Sequence, residues 1–153
     1  MSGRETRHTQ SSTASAAAAA ALACLMVTST YANCRFQSGS TTGAMGFGTL
    51  VPGSGSTATA QTVLNIRCSP SGDFAQLTVS FTSANGGAGT YQLARMGGGA
   101  WIPYGLGYSA VPNSSTPAQI DARLTITGTI APAAYNNALS GSYLDTLTVL
   151  VGP

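Results

Sequence analysis

The sequence predicts an all-β protein, built as a sandwich or barrel of short strands. Apolar and polar residues alternate with a period of two along several segments, whereas the period of an amphipathic helix does not recur. Clusters rich in glycine, proline, serine and asparagine separate these segments, as turns do in a β-sandwich. We therefore expect the inward face of each strand to supply the core.

Three internal segments carry this alternation, and they are predicted as strands over residues 62–68, 74–81 and 120–126. The residues predicted to face inward are Leu64, Ile66, Cys68, Leu77, Val79, Phe81, Ala122, Leu124 and Ile126. The stretch from Ala100 to Tyr108 alternates as a half-buried strand should. Pro112 to Pro117 is predicted as a turn, and residues 130–140 as a short helical turn or an irregular crossover.

The segment from Tyr143 to Pro153 is predicted as a strand with one strongly apolar face. Tyr143, Leu147, Val149 and Val151 lie on that face, together with Asp145. No later segment is available to pair with this strand, so its backbone donors and acceptors are predicted to form an open edge. Acceptance of a strand from another chain is the first function that this pattern indicates.

The first 32 residues differ from the rest and are typical of a secretory signal peptide. Two arginines precede an apolar run from Ala16 to Val27, which is shorter than the about 20 residues that a membrane span needs. The small residues Thr30 and Ala32 favour cleavage before Asn33. Cleavage after Ala23, which would make Cys24 the first residue, is the alternative. We therefore divide the chain into a leader, 1–32, and one domain, 33–153.

An exported domain would retain two cysteines, Cys34 and Cys68, in an oxidising compartment. We expect them to form a disulfide, which would stabilise the fold by about 3.8 kcal/mol in the chain-entropy treatment. A metal site is not expected, because the single histidine, His8, belongs to the leader.

The composition argues against an enzyme and against a nucleic-acid-binding protein. After residue 32 there are four arginines, three aspartates and no lysine, which gives a net charge of +1. A charge this small does not indicate a positively charged surface that binds nucleic acid. The same region has no histidine or lysine to activate a serine or threonine nucleophile. No small-molecule cofactor is indicated either, since the glycine clusters do not join a strand to a helix.

Two features have both a functional and a structural interpretation. Asp145 is either a docking contact for a partner or an acceptor for nearby backbone and Thr146, and we favour the second. Trp101 and Tyr104 could form a platform that binds sugar or another surface, although their alternation with neighbours is also typical of a half-buried strand.

Four short motifs follow one another in the predicted domain. They are Cys34 with Phe47-Gly48-Thr49-Leu50 behind it, Ile66-Arg67-Cys68, Tyr91 to Met96 followed by Ile102-Pro103-Tyr104-Gly105-Leu106, and Gly141-Ser142-Tyr143-Leu144-Asp145-Thr146-Leu147-Thr148-Val149. In this order they resemble the spore coat protein U family, which includes subunits of archaic chaperone-usher pili.

The resemblance implies an incomplete immunoglobulin-like β-sandwich that is completed by a donor strand from another chain. It also implies a secreted pilus (fimbrial) or coat subunit that passes through the periplasm to the cell surface and serves in adhesion or biofilm. The implied partners are a periplasmic chaperone, an outer-membrane usher and other pilus subunits. On this basis Tyr143, Asp145, Leu147, Val149 and Val151 would form the acceptor and chaperone-docking strand.

The chain departs from that family at its start, because only Asn33 would precede Cys34 after cleavage at Ala32. Such a subunit could accept a strand but not donate one, and would belong at a fibre tip. Cleavage after Ala23 would instead leave a short donor from Cys24 to Asn33. The second functional class is a monomeric secreted module that binds a surface through its aromatic strand or loops.

Overall fold

The computed structural model describes residues 19–27, 34–37 and 42–152, and within these ranges the protein is mostly β. The strands are β1 (Ala19–Val27), β2 (Cys34–Phe36), β3 (Thr42–Leu50), β4 (Ala58–Cys68), β5 (Thr78–Ser83), β6 (Gly87–Ala88), β7 (Tyr91–Arg95), β8 (Trp101–Ser115), β9 (Ile120–Ile130) and β10 (Tyr143–Gly152). A 3-10 helix covers Ser71–Gln76, and one turn of α-helix, α1, covers Pro132–Tyr135. None of the described residues forms a helix long and apolar enough to cross a membrane.

The strands form one curled sheet in the order β2-β4-β9-β8-β7-β10-β1-β3, and β5 pairs with both β10 and β6. The sheet curls at β8, whose first residues pair with β7 and whose remainder, from Gly105 to Ser115, pairs with β9. The pairing of β1 with β10 is parallel, whereas the other described pairings are antiparallel. The all-β prediction is confirmed.

Strand β10 lies inside the sheet, which corrects the prediction of an open edge. One edge of β10 pairs with β7 at Tyr143–Leu144 and with β5 at Leu147–Gly152. The other edge pairs with β1, from Ala21 opposite Tyr143 to Val27 opposite Val149. The prediction failed because it considered only residues that follow β10 in the sequence. The partner strand, β1, lies more than 100 residues earlier, in the apolar run assigned to the leader. The rest of that predicted leader, 1–18 and 28–32, lies outside the described residues.

The core draws on the inward face of nearly every strand, as the alternation predicts. Leu64, Ile66 and Cys68 of β4 and Ala122, Leu124 and Ile126 of β9 are all buried. In β10 the buried residues alternate with half-buried ones along the whole strand. Phe81 of β5 is buried, and Leu77 and Val79 are half-buried at the edge of the same core.

Two boundaries differ from the predictions. Residues 74–76, predicted as the start of a strand, belong to the 3-10 helix instead. The segment from Pro112 to Ser115 continues β8 rather than forming a turn, because a register shift between Pro112 and Ser114 accommodates a proline that cannot donate to the ladder. The turn follows at Thr116, whose backbone N–H donates to the carbonyl of Gln119 at 2.8 Å.

The predicted disulfide between Cys34 and Cys68 is confirmed, and it joins β2 to β4. The two cysteines are directly opposite in the antiparallel pair, with Arg35 opposite Arg67 in the next position. Both cysteines are fully buried. The helical turn predicted within residues 130–140 is α1, and its Tyr135 is buried, with its hydroxyl contacting Ser54 and Ser56.

Candidate strand-acceptor groove

We define the acceptor groove as the space between β3 and β10, which β1 occupies. Backbone pairing joins β1 to β3 from Ala19 opposite Leu50 to Met26 opposite Thr42, and to β10 over Ala21–Val27. Among the described residues, β3 pairs with no strand other than β1. In the described part of the sheet, β1 is therefore the sole link between β3 and β10.

The wall formed by β10 consists of the residues predicted for the acceptor strand. Tyr143, Asp145, Leu147, Val149 and Val151 are each no more than 3 % exposed. They form one continuous inward row because the side chains of a strand alternate between faces. The opposite wall consists of Met45, Phe47 and Leu50 of β3, which are also buried.

Glycines let β3 lie close to the strands across the core. A Cβ at Gly43 would lie 2.7 Å from Oγ1 of Thr62 in β4, and a Cβ at Gly128 of β9 would lie 2.6 Å from Cζ of Phe47. The Phe47 ring also packs edge-on against Tyr104, with ring centroids 5.8 Å apart. β3 therefore packs against β4, β8 and β9, although its only strand partner within the described residues is β1.

A buried hydrogen-bond cluster surrounds Asp145 in the middle of the β10 wall. Its Oδ2 accepts from the hydroxyls of Ser83 and Tyr104, each at 2.7 Å. Its Oδ1 accepts from the backbone N–H of Thr146 at 2.8 Å and from Nδ2 of Asn85 at 3.0 Å. The carboxylate is thus satisfied on both oxygens, which a buried charge requires.

This cluster ties β10 to both of its neighbours on one edge. Asn85 follows β5, and its Nδ2 also donates to the carbonyls of Gln92 in β7 and Leu144 in β10. Asp145 therefore organises the inner face of the acceptor strand, as the structural interpretation of this residue predicts. The Asn85-Gly86 pair is a hairpin signal in the sequence, but the role of Ser83 and Asn85 as donors to Asp145 was not predicted, because it depends on the pairing of β5 with β10.

Burial and the hydrogen bond to Asp145 raise the pKa of the Tyr104 hydroxyl well above its usual range. The dominant cause is burial, which disfavours the charged phenolate, and the neighbouring carboxylate adds to it. Tyr104 therefore remains a neutral donor throughout the physiological range of pH.

The two residues predicted as a surface-binding platform do not lie together on the surface. Trp101 is 56 % exposed at the start of β8, whereas Tyr104 is only 7 % exposed and is directed to Asp145. Tyr104 is therefore part of the protein interior, and of the predicted pair Trp101 alone is accessible to a ligand. No group of three or more histidine, cysteine, aspartate or glutamate residues that could hold a metal ion occurs among the described residues.

Neither the protein-family models nor the curated proteins contain a match to this chain. The resemblance to the spore coat protein U family therefore rests on the four motifs quoted above. The all-β fold and the Cys34–Cys68 disulfide are shown by the structure independently of this resemblance.

Proposed function

We propose that this protein is a structural subunit whose groove between β3 and β10 accepts a strand from another chain. The subunit would be secreted and would build a pilus or coat at the cell surface. Its fold would be an incomplete immunoglobulin-like sandwich in which the incoming strand takes the place that β1 occupies here. The partners would be a periplasmic chaperone, an outer-membrane usher and neighbouring subunits.

The observation that carries this proposal is the dependence of β3 on a segment with the composition of a cleavable leader. β3 has β1 as its sole strand partner among the described residues, and β1 lies within the apolar run of the predicted signal peptide. Removal of that segment would leave two unpaired strand edges facing each other across an apolar trough. Unpaired edges of this kind readily add a strand.

The groove also has the dimensions of a single strand. β1 spans nine residues, which corresponds to about 30 Å of extended chain. Its pairing with both walls is continuous except for one register shift at Ala21/Leu22. A donor segment of similar length and apolar character would meet the same backbone groups on β3 and β10.

Cleavage before Asn33 would leave one residue ahead of Cys34, so the mature subunit would accept a strand without donating one. This would place it at the tip of a fibre, where no further subunit needs a donor. Cleavage after Ala23 would leave a short donor segment and would allow a position within the shaft. The mass of the exported protein distinguishes these two positions.

The experiment compares the full chain with a form that begins at Asn33. We expect the shorter form to aggregate or to unfold at a lower temperature, and a peptide of residues 19–27 carrying Cys24→Ser to restore a soluble, more stable domain. Thermal unfolding and size-exclusion chromatography measure both effects.

The matched control is a peptide of residues 19–27 in which proline replaces both Ala23 and Cys24. The two prolines remove consecutive backbone N–H groups and so impair pairing with both walls. This peptide should not restore the domain. If the shorter form is a stable monomer that responds to neither peptide, strand acceptance is ruled out. The alternative function, a monomeric module that binds a surface through Trp101, would then be favoured.

A further inference from the structure

Two arginines face each other on the outer surface of the sheet beside the disulfide. Arg35 of β2 is directly opposite Arg67 of β4, one position beyond the Cys34–Cys68 pair. Because the cysteines are turned into the core, alternation turns both arginines outward. Like charges directly opposite on paired strands repel each other, so this arrangement favours an anion that lies between them.

The described carboxylates neutralise only one of the two arginines. Asp121 of β9 binds Arg67 with both of its oxygens, since Nε lies 2.6 Å from Oδ1 and Nη2 lies 2.9 Å from Oδ2. The hydrogen bond from Arg67 holds the pKa of Asp121 below its usual range, which keeps the carboxylate charged. Arg35 is exposed and has no ion pair within the part of the chain that the structure describes.

A third arginine extends the same positive surface. Arg123 is exposed on β9, two positions from Asp121 and therefore diagonal to Arg67, within reach of a long side chain. The surface thus holds three arginines and one aspartate, a net charge of +2, whereas the domain from residue 33 onward carries +1 in total. The positive charge of the domain is concentrated here.

A cleft of about 450 Å³ opens at this point, lined by Arg35, Phe36, Gln37 and Arg67. Its volume accommodates a sugar ring with an attached anionic group. The Gln37 side chain donates to the carbonyl of Ile66 at 3.4 Å, so it lies against β4 beside the two arginines. The disulfide fixes the register of β2 on β4 and hence keeps Arg35 and Arg67 directly opposite each other before any ligand binds.

We propose that this cleft binds the carboxylate or sulfate groups of an anionic polysaccharide. Guanidinium groups favour such oxyanions, and Gln37, which lines the cleft beside the two arginines, offers an amide suited to a sugar hydroxyl group. A nucleic acid fits less well because Phe36 is the one aromatic residue among the described residues that line the cleft, which leaves few rings for the stacking of bases. The proposal does not depend on strand acceptance.

The experiment measures retardation of the full chain in native gels that contain polygalacturonate, dextran sulfate or neutral dextran. We expect retardation by at least one anionic polymer and none by dextran, and the two anionic arms identify whether carboxylate or sulfate binds better. Arg35→Gln should weaken binding about fivefold, as expected for loss of one exposed charge contact. Added salt should weaken it as well.

Two further variants make the test specific. Arg95→Gln removes the same charge from β7, outside the cleft, and should leave binding unchanged. Asp121→Asn frees Arg67 and should tighten binding, a gain that loss of folding would not produce. Equal losses in Arg35→Gln and Arg95→Gln would show binding to overall charge alone and would overturn the proposal, as would retardation by dextran, no retardation by any polymer, or weaker binding of Asp121→Asn.

Discussion

The phenolic hydroxyl of Tyr104 donates a 2.7 Å hydrogen bond to Oδ2 of Asp145, and both residues are buried. This bond joins β8 to β10 through the interior, although the two strands do not pair with each other. It gives the acceptor wall a fixed polar anchor within an otherwise apolar row.

Replacement of Tyr104 by phenylalanine should destabilise the domain by about 1.5–3 kcal/mol, because the buried carboxylate would lose one of its donors. Urea unfolding of the full chain measures this difference. Tyr108→Phe is the matched control, since Tyr108 is 44 % exposed, and it should change stability by less than about 0.5 kcal/mol. Equal effects of the two variants would contradict the role assigned to Tyr104.

Stability should fall at alkaline pH, and Tyr104 should account for part of the fall. Its pKa is raised in the folded state, so above about pH 10 the unfolded chain loses this proton while the folded chain retains it. The stabilisation is therefore complete below about pH 10 and declines by at most about 1.4 kcal/mol per pH unit above it. Urea unfolding from pH 8 to 11 should give a smaller decline for Tyr104→Phe than for the unchanged chain, and identical slopes would contradict this assignment.

Close packing of Phe47 on Gly128 predicts that these positions will not tolerate added volume. Gly128→Ala would place a Cβ 2.6 Å from the Phe47 ring and should cost about 1–3 kcal/mol through overpacking. Gly46→Ala in β3 is the control, because a Cβ there meets nothing within 4 Å. We expect that variant to be neutral or slightly stabilising in thermal unfolding. A neutral Gly128→Ala would show that β3 does not pack on β9 as closely as described.

The disulfide should contribute strongly to the stability of this small domain. The double variant Cys34→Ala/Cys68→Ala should lose about 3.8 kcal/mol of unfolding free energy, from the entropy of closing a loop with a sequence separation of 34. Cys24→Ser is the matched control, because Cys24 is not part of this disulfide. Denaturant unfolding under oxidising conditions tests both, and the comparison fails if the two changes have the same effect.

Hydrogen exchange should show which strand depends on residues 19–27. In the form that begins at Asn33, amides of β3 should exchange much faster than in the full chain, because β1 is the strand partner of β3. Amides of β4 that pair with β9 should keep their protection. Uniform loss of protection across the domain would instead indicate global unfolding, and unchanged protection of β3 would show that the groove closes without a strand.

Local alternation was sufficient to predict which residues of β4, β9 and β10 form the core. Alternation depends on each residue and its near neighbours, so it is visible without knowledge of the fold. The placement of β10 inside the sheet could not be obtained in this way, because the pairing of Leu22 with Leu144 joins positions far apart in the chain. The same holds for the Asp145 cluster, whose donors come from β5, the turn after it, and β8.

Turn residues gave a less reliable guide than alternation. Pro112 indicated a turn but lies in β8, where a bulge removes the need for its missing N–H. Alternation, by contrast, placed Tyr104 on the same face as Ile102, and both side chains are buried. The place of Pro112 is decided by its partner strand, and the partner is not a local property of the sequence.

The register of β1 on β10 makes the site of proteolytic processing a determinant of the fold itself. Seven residues of β1, Ala21–Val27, are matched to β10, and a cut after Ala23 would keep the four from Cys24 onward attached to the domain. A cut after Ala32 would keep none of them. A peptidase that shifts its choice by nine residues would thus convert a domain that still carries part of β1 into one that must obtain the whole strand from another polypeptide before it can persist.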